Sequence, residues 1–381
     1  MEVNELQRDR RGLFRAARRA VVKLGTSVVT APGGEFCAER VAPLVRTLAE
    51  LRREGRGVVL VSSGAVGLGA GRLGLARPRL ADVVLRQACA AVGQSLLMHA
   101  YERLFGAHGV KIAQVLLTED DFAERRRYSN LQRTMERLLK LGVVPVVNEN
   151  DTVSTAELEY VGAARIFGDN DRLAALVMSK LDSDALVLLS DVDGLLVPKP
   201  RGLTDGAEHD EEQMVLPYVA EVTPELKALA AGPSVTGRGG MVTKLEAAEI
   251  AMRAGGVAVI ANGTRAETLP RVFAGEDVGT AFVPGSRMAG KRRWLAYAAG
   301  VRGRVVVNAG AREAILHGKA SLLASGVVRV EREFEQQDVV SIADAEGREF
   351  ARGIARRASR EAADSGGVLV ARDDIVVLEG A

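Results

Sequence analysis

The sequence predicts an α/β protein: a three-layer sandwich around a mostly parallel open sheet, followed by a small β-rich domain. Three observations carry that expectation. Short apolar runs alternate with segments of helical period through most of the chain, the order that builds a parallel sheet covered by helices. One of these runs, GVVLVSSG at 57–64, is continuously apolar, as a strand covered on both faces requires. Beyond residue 302 the style changes to short β-rich runs separated by Gly and Asp turns.

The elements follow in order. RAVVKLG, 19–25, reads as the first strand. ERVAPLVRTLAELRREG, 39–55, has apolar residues at three- and four-residue spacing and stops at Gly55, so it is a helix. After the strand at 57–64, a long helix covers about 82–105, KIAQVLLT is a strand, NLQRTMERLLKLG a helix and VVPVVNEND a strand. NDRLAALVMSKL is a helix and DALVLLSDVDG a strand with its turn. MVTKLEAAEIAMRAGG is a helix and VAVIANG a strand. In such sheets ligands bind beyond the carboxyl ends of the strands. The polar stretches KLGTS, SSGAVGLG, NEND and SDVDG sit there.

Boundaries fall at changes of composition. Residues 1–19 carry six arginines and read as a solvated leader. The α/β domain covers 20–282. Residues 283–301, basic and containing Pro284 and the sole tryptophan, Trp294, read as a linker, and the β-rich domain covers 302–381.

Bulk properties exclude several classes. Of 381 residues, 47% are hydrophobic and 26% charged, with a net charge of +2, so no global field points to nucleic acid or membrane. Aromatics at 4% argue against a stacking platform for single strands. Two cysteines, Cys37 and Cys89, form no disulfide framework and suit a reducing cytosol. His99, His108, His209 and His317 are scattered without metal-ligand spacing. From Arg302 to Ala381 there are 12 Lys and Arg against 13 Asp and Glu, which withholds the usual electrostatic footprint of an RNA-binding domain.

Two near-matches to phosphate motifs fail on context. GAGRLG, Gly69 to Gly74, has the dinucleotide spacing but does not follow its strand directly. GSRMAGKR, Gly285 to Arg292, ends in Arg where a P-loop needs Ser or Thr, and it lies in the linker. Three glycine turns remain. Lys23 precedes one at a strand end, Ser63-Gly64 opens the second, and TGRGGMVTK, 236–244, is the third, with Lys244 in the first turn of a helix. Free backbone N–H groups at helix starts attract anions. Together the turns and lysines form a cradle for phosphates or carboxylates.

The remaining polar groups are NEND, Asn148 to Asp151, and GDND, Gly168 to Asp171. Asp169 or Asn170 can cap the helix that follows, but capping leaves the rest unexplained. They can accept from an ammonium group and orient lysines. SDVDG, Ser190 to Gly194, either holds a nucleotide or Mg²⁺ or is a turn. With no evident catalytic His or Cys, the pattern suits a carboxylate acceptor. A carboxylate is ionised near pH 7 and needs no general base. Phosphoryl transfer to it asks chiefly for positioning and charge neutralisation.

VVKLGTSVVT, VVLVSSGAVGLG, AAVGQ, PVVNENDTVS, FGDND, LLSDVDGL and GRGGMVTKLEAA occur in that order. They resemble the glutamate 5-kinases of the amino-acid kinase family, from about Ala20 to the chain end. The C-terminal segment looks like a PUA domain, a small β-rich barrel. The resemblance implies the amino-acid kinase fold and transfer of phosphate from ATP, with Mg²⁺, to the γ-carboxylate of L-glutamate. The product would be γ-glutamyl phosphate, the first step of proline synthesis. It also implies inhibition by proline, a homo-oligomer (dimer or tetramer), a cytoplasmic location and contact with glutamyl-phosphate reductase.

Residue by residue, Lys23 and Lys244 match the lysines that neutralise the transferring phosphoryl group, and Asp171 matches the aspartate that orients them. Ser63, Asp151 and Asn170 match the glutamate-binding positions. Lys23, Ser190 and Asp191, with the loop Arg238, Gly239, Gly240, Met241, Val242, Thr243 and Lys244, match the nucleotide site. The segment between NEND and GDND is longer than the family pattern, beside the substrate and inhibitor positions. The rival readings are another carboxylate kinase of the same family and an RNA-binding role for the C-terminal domain.

Overall fold

The computed structural model describes residues 12–75, 82–154, 170–198, 213–230, 240–285, 287–317, 320–361 and 367–378. The chain divides into two compact units. The first takes Met1–Glu119 and Asn130–Arg287; the second takes Asp120–Ser129 and Met288–Ala381.

The first unit is built on an eight-stranded sheet. Its strands are β1 (Arg19–Leu24), β2 (Gly57–Ser62), β3 (Ile112–Leu117), β4 (Val144–Glu149), β5 (Ala185–Ser190), β8 (Tyr218–Val219), β9 (Val257–Asn262) and β10 (Thr280–Phe282). Their order is β3-β4-β2-β1-β5-β9-β10-β8. All neighbours are parallel except β9 and β10. Two short strands, β6 (Leu196–Pro198) and β7 (Gln213–Val215), pair separately. The chain runs from β1 to β2 and on to the edge strand β3, comes back to β4 between β3 and β2, then crosses to β5 on the other side of β1. That reversal makes a switch point at β1, with the carboxyl ends of β2, β1 and β5 side by side.

Helices of eight residues or more in this unit, among those described, are α1 (Ala38–Arg53), α2 (Ala65–Arg72), α3 (Val83–Gly106), α5 (Asn170–Lys180) and α6 (Met241–Arg253). A further one, α4 (Arg125–Lys140), contains the boundary between the units. On α1, Val41, Leu44, Val45 and Leu48 recur on one helical face and are fully buried. They share a core with Val22, Leu24, Leu60, Leu97 and Tyr101. Asp82 caps α3 by accepting from Val84 N and Leu85 N. On the opposite face α5 and α6 pack on each other and on β1 and β9, completing three layers.

Two expectations need correction. Residues 12–16, expected as solvated leader, are helical, and Phe14 is fully buried edge-on against Phe273 at 6.3 Å. Burying a ring of that size is worth roughly 2–3 kcal/mol, which outweighs the pull of the neighbouring arginines toward water. Within 283–301, expected as linker, a helical turn Gly290–Arg293 runs into the π-helical stretch Trp294–Ala298. Trp294, Leu295, Ala296 and Ala298 are buried there, and the Trp294 indole N–H donates to Phe122 O at 2.9 Å. A buried indole needs such a partner, and it comes from 172 residues away.

The second unit has a six-stranded sheet. Its strands are β11 (Gly303–Val307), β12 (Leu322–Leu323), β13 (Val327–Arg332), β14 (Val339–Ala343), β15 (Glu349–Ala355) and β16 (Val368–Val377). The order is β12-β16-β15-β14-β11-β13, antiparallel except for β11 with β14. Helix α7 (Ala309–Leu316) is capped by Asn308, and Val305, Phe334, Ile342 and Phe350 belong to this unit's own core.

Candidate active site

Strand alternation decides what Lys23 can touch. Successive side chains of β1 point to opposite faces, so Val22 and Leu24 join the core with α1 while Val21 and Lys23 face α5 and α6. Lys23 Nζ lies 2.7 Å from Asp171 Oδ1. Lys244 Nζ lies 3.1 Å from Asp171 Oδ2. One carboxylate thus holds two ammonium groups, one on each oxygen, and the three side chains are only 4%, 0% and 6% exposed. Interactions between charges strengthen as water is excluded.

The helices explain why these residues are available. Asp171 is in the first turn of α5, where the helix dipole favours a carboxylate. Lys244 is the fourth residue of α6, whose start is capped at Gly240 without a side-chain hydrogen bond. Thr243 Oγ1 donates to Gly240 O at 2.9 Å and stands 3.4 Å from Asp171 Oδ2. Met241 and Val242 form the rest of that first turn, and Arg238 and Gly239 lie outside the described residues.

A second cluster joins β2, β4, α3 and α5. Asn170 Nδ2 donates to Ser63 Oγ at 2.8 Å, Asn148 Oδ1 at 3.0 Å and Ser62 O at 3.2 Å. Asn148 Oδ1 also accepts from Glu149 N at 2.9 Å, and Asn148 Nδ2 donates to Gln94 Oε1 at 2.9 Å. Every amide orientation follows from the backbone ends of this chain. Ser62 O only accepts and Glu149 N only donates, so each amide between them has one arrangement. The outcome leaves Asn170 Oδ1 and Gln94 Nε2 buried and, among the described residues, without hydrogen-bond partners. Such groups are costly unless a ligand meets them. An acceptor and a donor together complement the ammonium and carboxylate of an amino acid.

Below this cluster Ser62 Oγ is 2.7 Å from Tyr101 Oη and donates to Ser63 O at 3.0 Å. The phenol therefore donates to Ser62. Burial pushes the Tyr101 hydroxyl well above its ordinary pKa, and the Ser62 hydrogen bond offsets part of that shift, so it stays neutral. Asp151 follows β4 in a turn and is half-buried.

Ser190 and Asp191 stand at the carboxyl end of β5, where Ser190 Oγ donates to Asp191 Oδ1 at 2.9 Å and Ser190 O accepts from Gly263 N at 2.7 Å. In the same turn, Asp193 accepts from Asn262 Nδ2 at 2.9 Å and from Arg265 Nη2 at 3.0 Å.

The glycines of GAVGLGAGRLG serve packing. Gly64 starts α2 at φ +106°, a conformation that L side chains rarely adopt. A β-carbon at Gly69 would stand 1.8 Å from Cys89 O, so α2 and α3 meet almost backbone to backbone. In the dinucleotide spacing at 69–74, Gly69 thus makes the helix–helix contact, while Gly71 lies against the backbone of Gly34 and Gly74 has open space around it. The longer segment after NEND falls at 155–169, outside the described residues.

Sequence reasoning assigned no role to Gln94 or Tyr101, and it named Asn148 only within NEND, as an acceptor for an ammonium group, without its amide partners. AAVGQ and NEND do mark Gln94 and Asn148, but 54 residues separate the bonded amides, and only the fold brings them together.

Comparisons with known proteins identify the family. The model of the amino acid kinase family matches residues 18–262, and that of the PUA domain matches 303–375. A glutamate 5-kinase of Myxococcus xanthus is 49% identical over 387 residues, covering 97% of this chain and 98% of the relative. One of Moorella thermoacetica is 44% identical, covering 98% and 99%. One of Gloeobacter violaceus is 45% identical, covering 90% and 89%.

Proposed function

This chain belongs to the amino acid kinase family, among its glutamate 5-kinases, and on that premise we propose how its residues carry out the reaction. The activity is ATP-dependent phosphorylation of the γ-carboxylate of L-glutamate, which opens the route to proline. A carboxylate oxygen bonds to the γ-phosphorus of ATP, the bond from that phosphorus to the β–γ bridging oxygen breaks, and ADP leaves with those electrons. No proton moves, which agrees with a site built of lysines rather than a general base.

The observation that carries the reading is the pair of ammonium groups on the two oxygens of Asp171. Lys23 and Lys244 stabilise charge on the transferring phosphoryl group from opposite sides of one fixed carboxylate. Asp171 keeps both at a set spacing and is the orienting residue. The first turn of α6, from Gly240 to Thr243, offers backbone N–H groups to the phosphates, with Arg238 and Gly239 continuing that loop. Ser190 and Asp191, at the end of β5, serve the nucleotide.

Ser63, Asn170 and Asp151 bind glutamate. The buried Asn170 Oδ1 accepts from the α-ammonium, and Gln94 Nε2 adds a donor for the α-carboxylate. Among the described residues no group of three or more His, Cys, Asp or Glu side chains could hold a metal ion. Mg²⁺ bound with the nucleotide, near Ser190 and Asp191, would supply further charge neutralisation to the transferring phosphoryl group.

The same reading includes inhibition by proline, self-association as a dimer or tetramer and delivery of the product to glutamyl-phosphate reductase, each supported by the family alone. Cys37 and Cys89 are both free, which suits a cytoplasmic location.

The test is a hydroxamate assay with ATP, Mg²⁺, hydroxylamine and L-glutamate, run beside aspartate and acetylglutamate. γ-Glutamyl hydroxamate formed only with glutamate is the expected product. ADP release with another acceptor and none with glutamate would remove the substrate and keep the family.

A further inference from the structure

The second unit contains a polar surface pocket of about 440 Å³, open to solvent, that phosphoryl transfer does not use. Three cations line it: Arg125 from the 120–129 segment, Lys291 from the turn before Trp294, and Arg356 just after β15. One carboxylate faces them, Asp374 on β16. Asp374 is ion-paired with Lys291 and stands 3.6 Å from Arg356 Nη2, which fixes both cations to one wall. Among the described residues Arg125 has no ion-pair partner. The lining therefore carries two positive charges in excess, inside a concave surface that concentrates their field.

Gln336 and Gln337 add uncharged donors and acceptors. Gln337 holds a left-handed backbone at φ +76°, pinned by its N–H on Ala355 O at 2.8 Å. The volume exceeds that of a lone inorganic anion and lies in the range of small-molecule sites, roughly 300–1,000 Å³.

We propose that this cavity binds a phosphate-bearing small molecule. Its dianionic phosphate is taken by the guanidinium forks of Arg356 and Arg125, with Lys291 behind them, and its uncharged part lies on the two glutamine amides. Arginine suits this role because its planar donors match phosphate oxygens two at a time. The excess charge of the lining equals that of a phosphate monoester. A nucleic-acid backbone presents the same group as a singly charged diester, repeated along a chain.

Trp294 reports on the site. It is the sole tryptophan of the chain, and its indole is bonded to Phe122, three residues before Arg125. The experiment titrates the full chain with pyrophosphate, ribose 5-phosphate and a short single-stranded RNA, following Trp294 fluorescence and heat of binding. It compares the native protein with Arg356→Gln and Arg125→Gln. The expected result is saturable binding of ribose 5-phosphate or pyrophosphate, weakened at least tenfold in either variant while glutamate kinase turnover is unchanged. Binding of equal strength in all three proteins would assign the phosphate to the kinase site and overturn the proposal. No saturable heat in the native protein would overturn it too. RNA that binds more tightly than both small probes, and loses affinity in the same variants, would replace the small molecule with a nucleic acid.

Discussion

Gly93 of α3 lies against the backbone of Ala65, the first residue of α2: a β-carbon at position 93 would stand 1.8 Å from Ala65 O. The backbone cannot yield as the end of a flexible side chain can. Gly93→Ala should therefore push the start of α2 away from α3. Overpacking of this kind costs about 1–3 kcal/mol. Because Ser63 and Gly64 lead into that turn, KM for glutamate should rise together with the fall in stability. Urea unfolding and steady-state kinetics on one preparation check both, and an unchanged midpoint would refute the close packing.

Lys244→Ala should lower kcat by about 100- to 1,000-fold, the usual loss when a group stabilising transition-state charge is removed. KM for glutamate should change little, because the amino-acid cluster around Asn170 contains no lysine. Turnover within a few-fold of the native value would place Lys244 away from the reacting phosphoryl group.

Gln94→Ala and Asp151→Ala should act on substrate binding. Loss of a hydrogen bond to a charged group costs about 1.5–3 kcal/mol, so KM for glutamate should rise roughly 10- to 100-fold with kcat largely kept. Glutamate KM measured at saturating ATP is the readout. A variant with native KM would exclude its residue from the amino-acid site.

Lys180, the last residue of α5, gives stability a pH dependence. Burial pushes its ammonium down to about 8 from an ordinary 10.5, against the opposing pull of Asp182 and Glu136. The folded state then releases its proton before the unfolded state does, so stability rises with pH between about 8 and 10.5. At pH 7 both states hold the proton, and the folded one bears the cost of a partly buried charge. Lys180→Met should be more stable than the native protein at pH 7, with the difference shrinking as pH approaches 10. Denaturant midpoints of both proteins at pH 7, 8.5 and 10 check this, and a constant difference would contradict the shift.

The lysine site was legible where it follows local rules. A lysine in the apolar run VVKLG, alternating with Val22 and Leu24, can point only to the other face of the sheet. Lys244 and Asp171 each open a helix, and helix starts are visible in a sequence. What stayed hidden depends on partners far along the chain. Phe14 sits among arginines and is buried because Phe273 meets it, and Trp294 sits in a basic stretch and is buried against Phe122. Gln94 looks like an ordinary surface amide until the fold sets it against Asn148, 54 residues on. The glycines of α2 resemble a phosphate loop because nothing local reveals that α3 lies against Gly69 and Gly34 against Gly71.

The second unit borrows ten residues, 120–129, from a stretch whose flanks belong to the first. Phe122 and Tyr128 of that stretch stack in turn, 6.1 Å apart, and Tyr128 lies 6.4 Å from Trp294. A ribosome therefore delivers one half of this aromatic group long before the other. At roughly 5–20 residues per second, the 172 residues from Phe122 to Trp294 take on the order of ten to thirty seconds. Throughout that interval the nascent kinase half exposes rings meant for a body not yet made. A gene truncated after Arg287 would make that interval permanent, so no single cut in the coding sequence separates the two units cleanly.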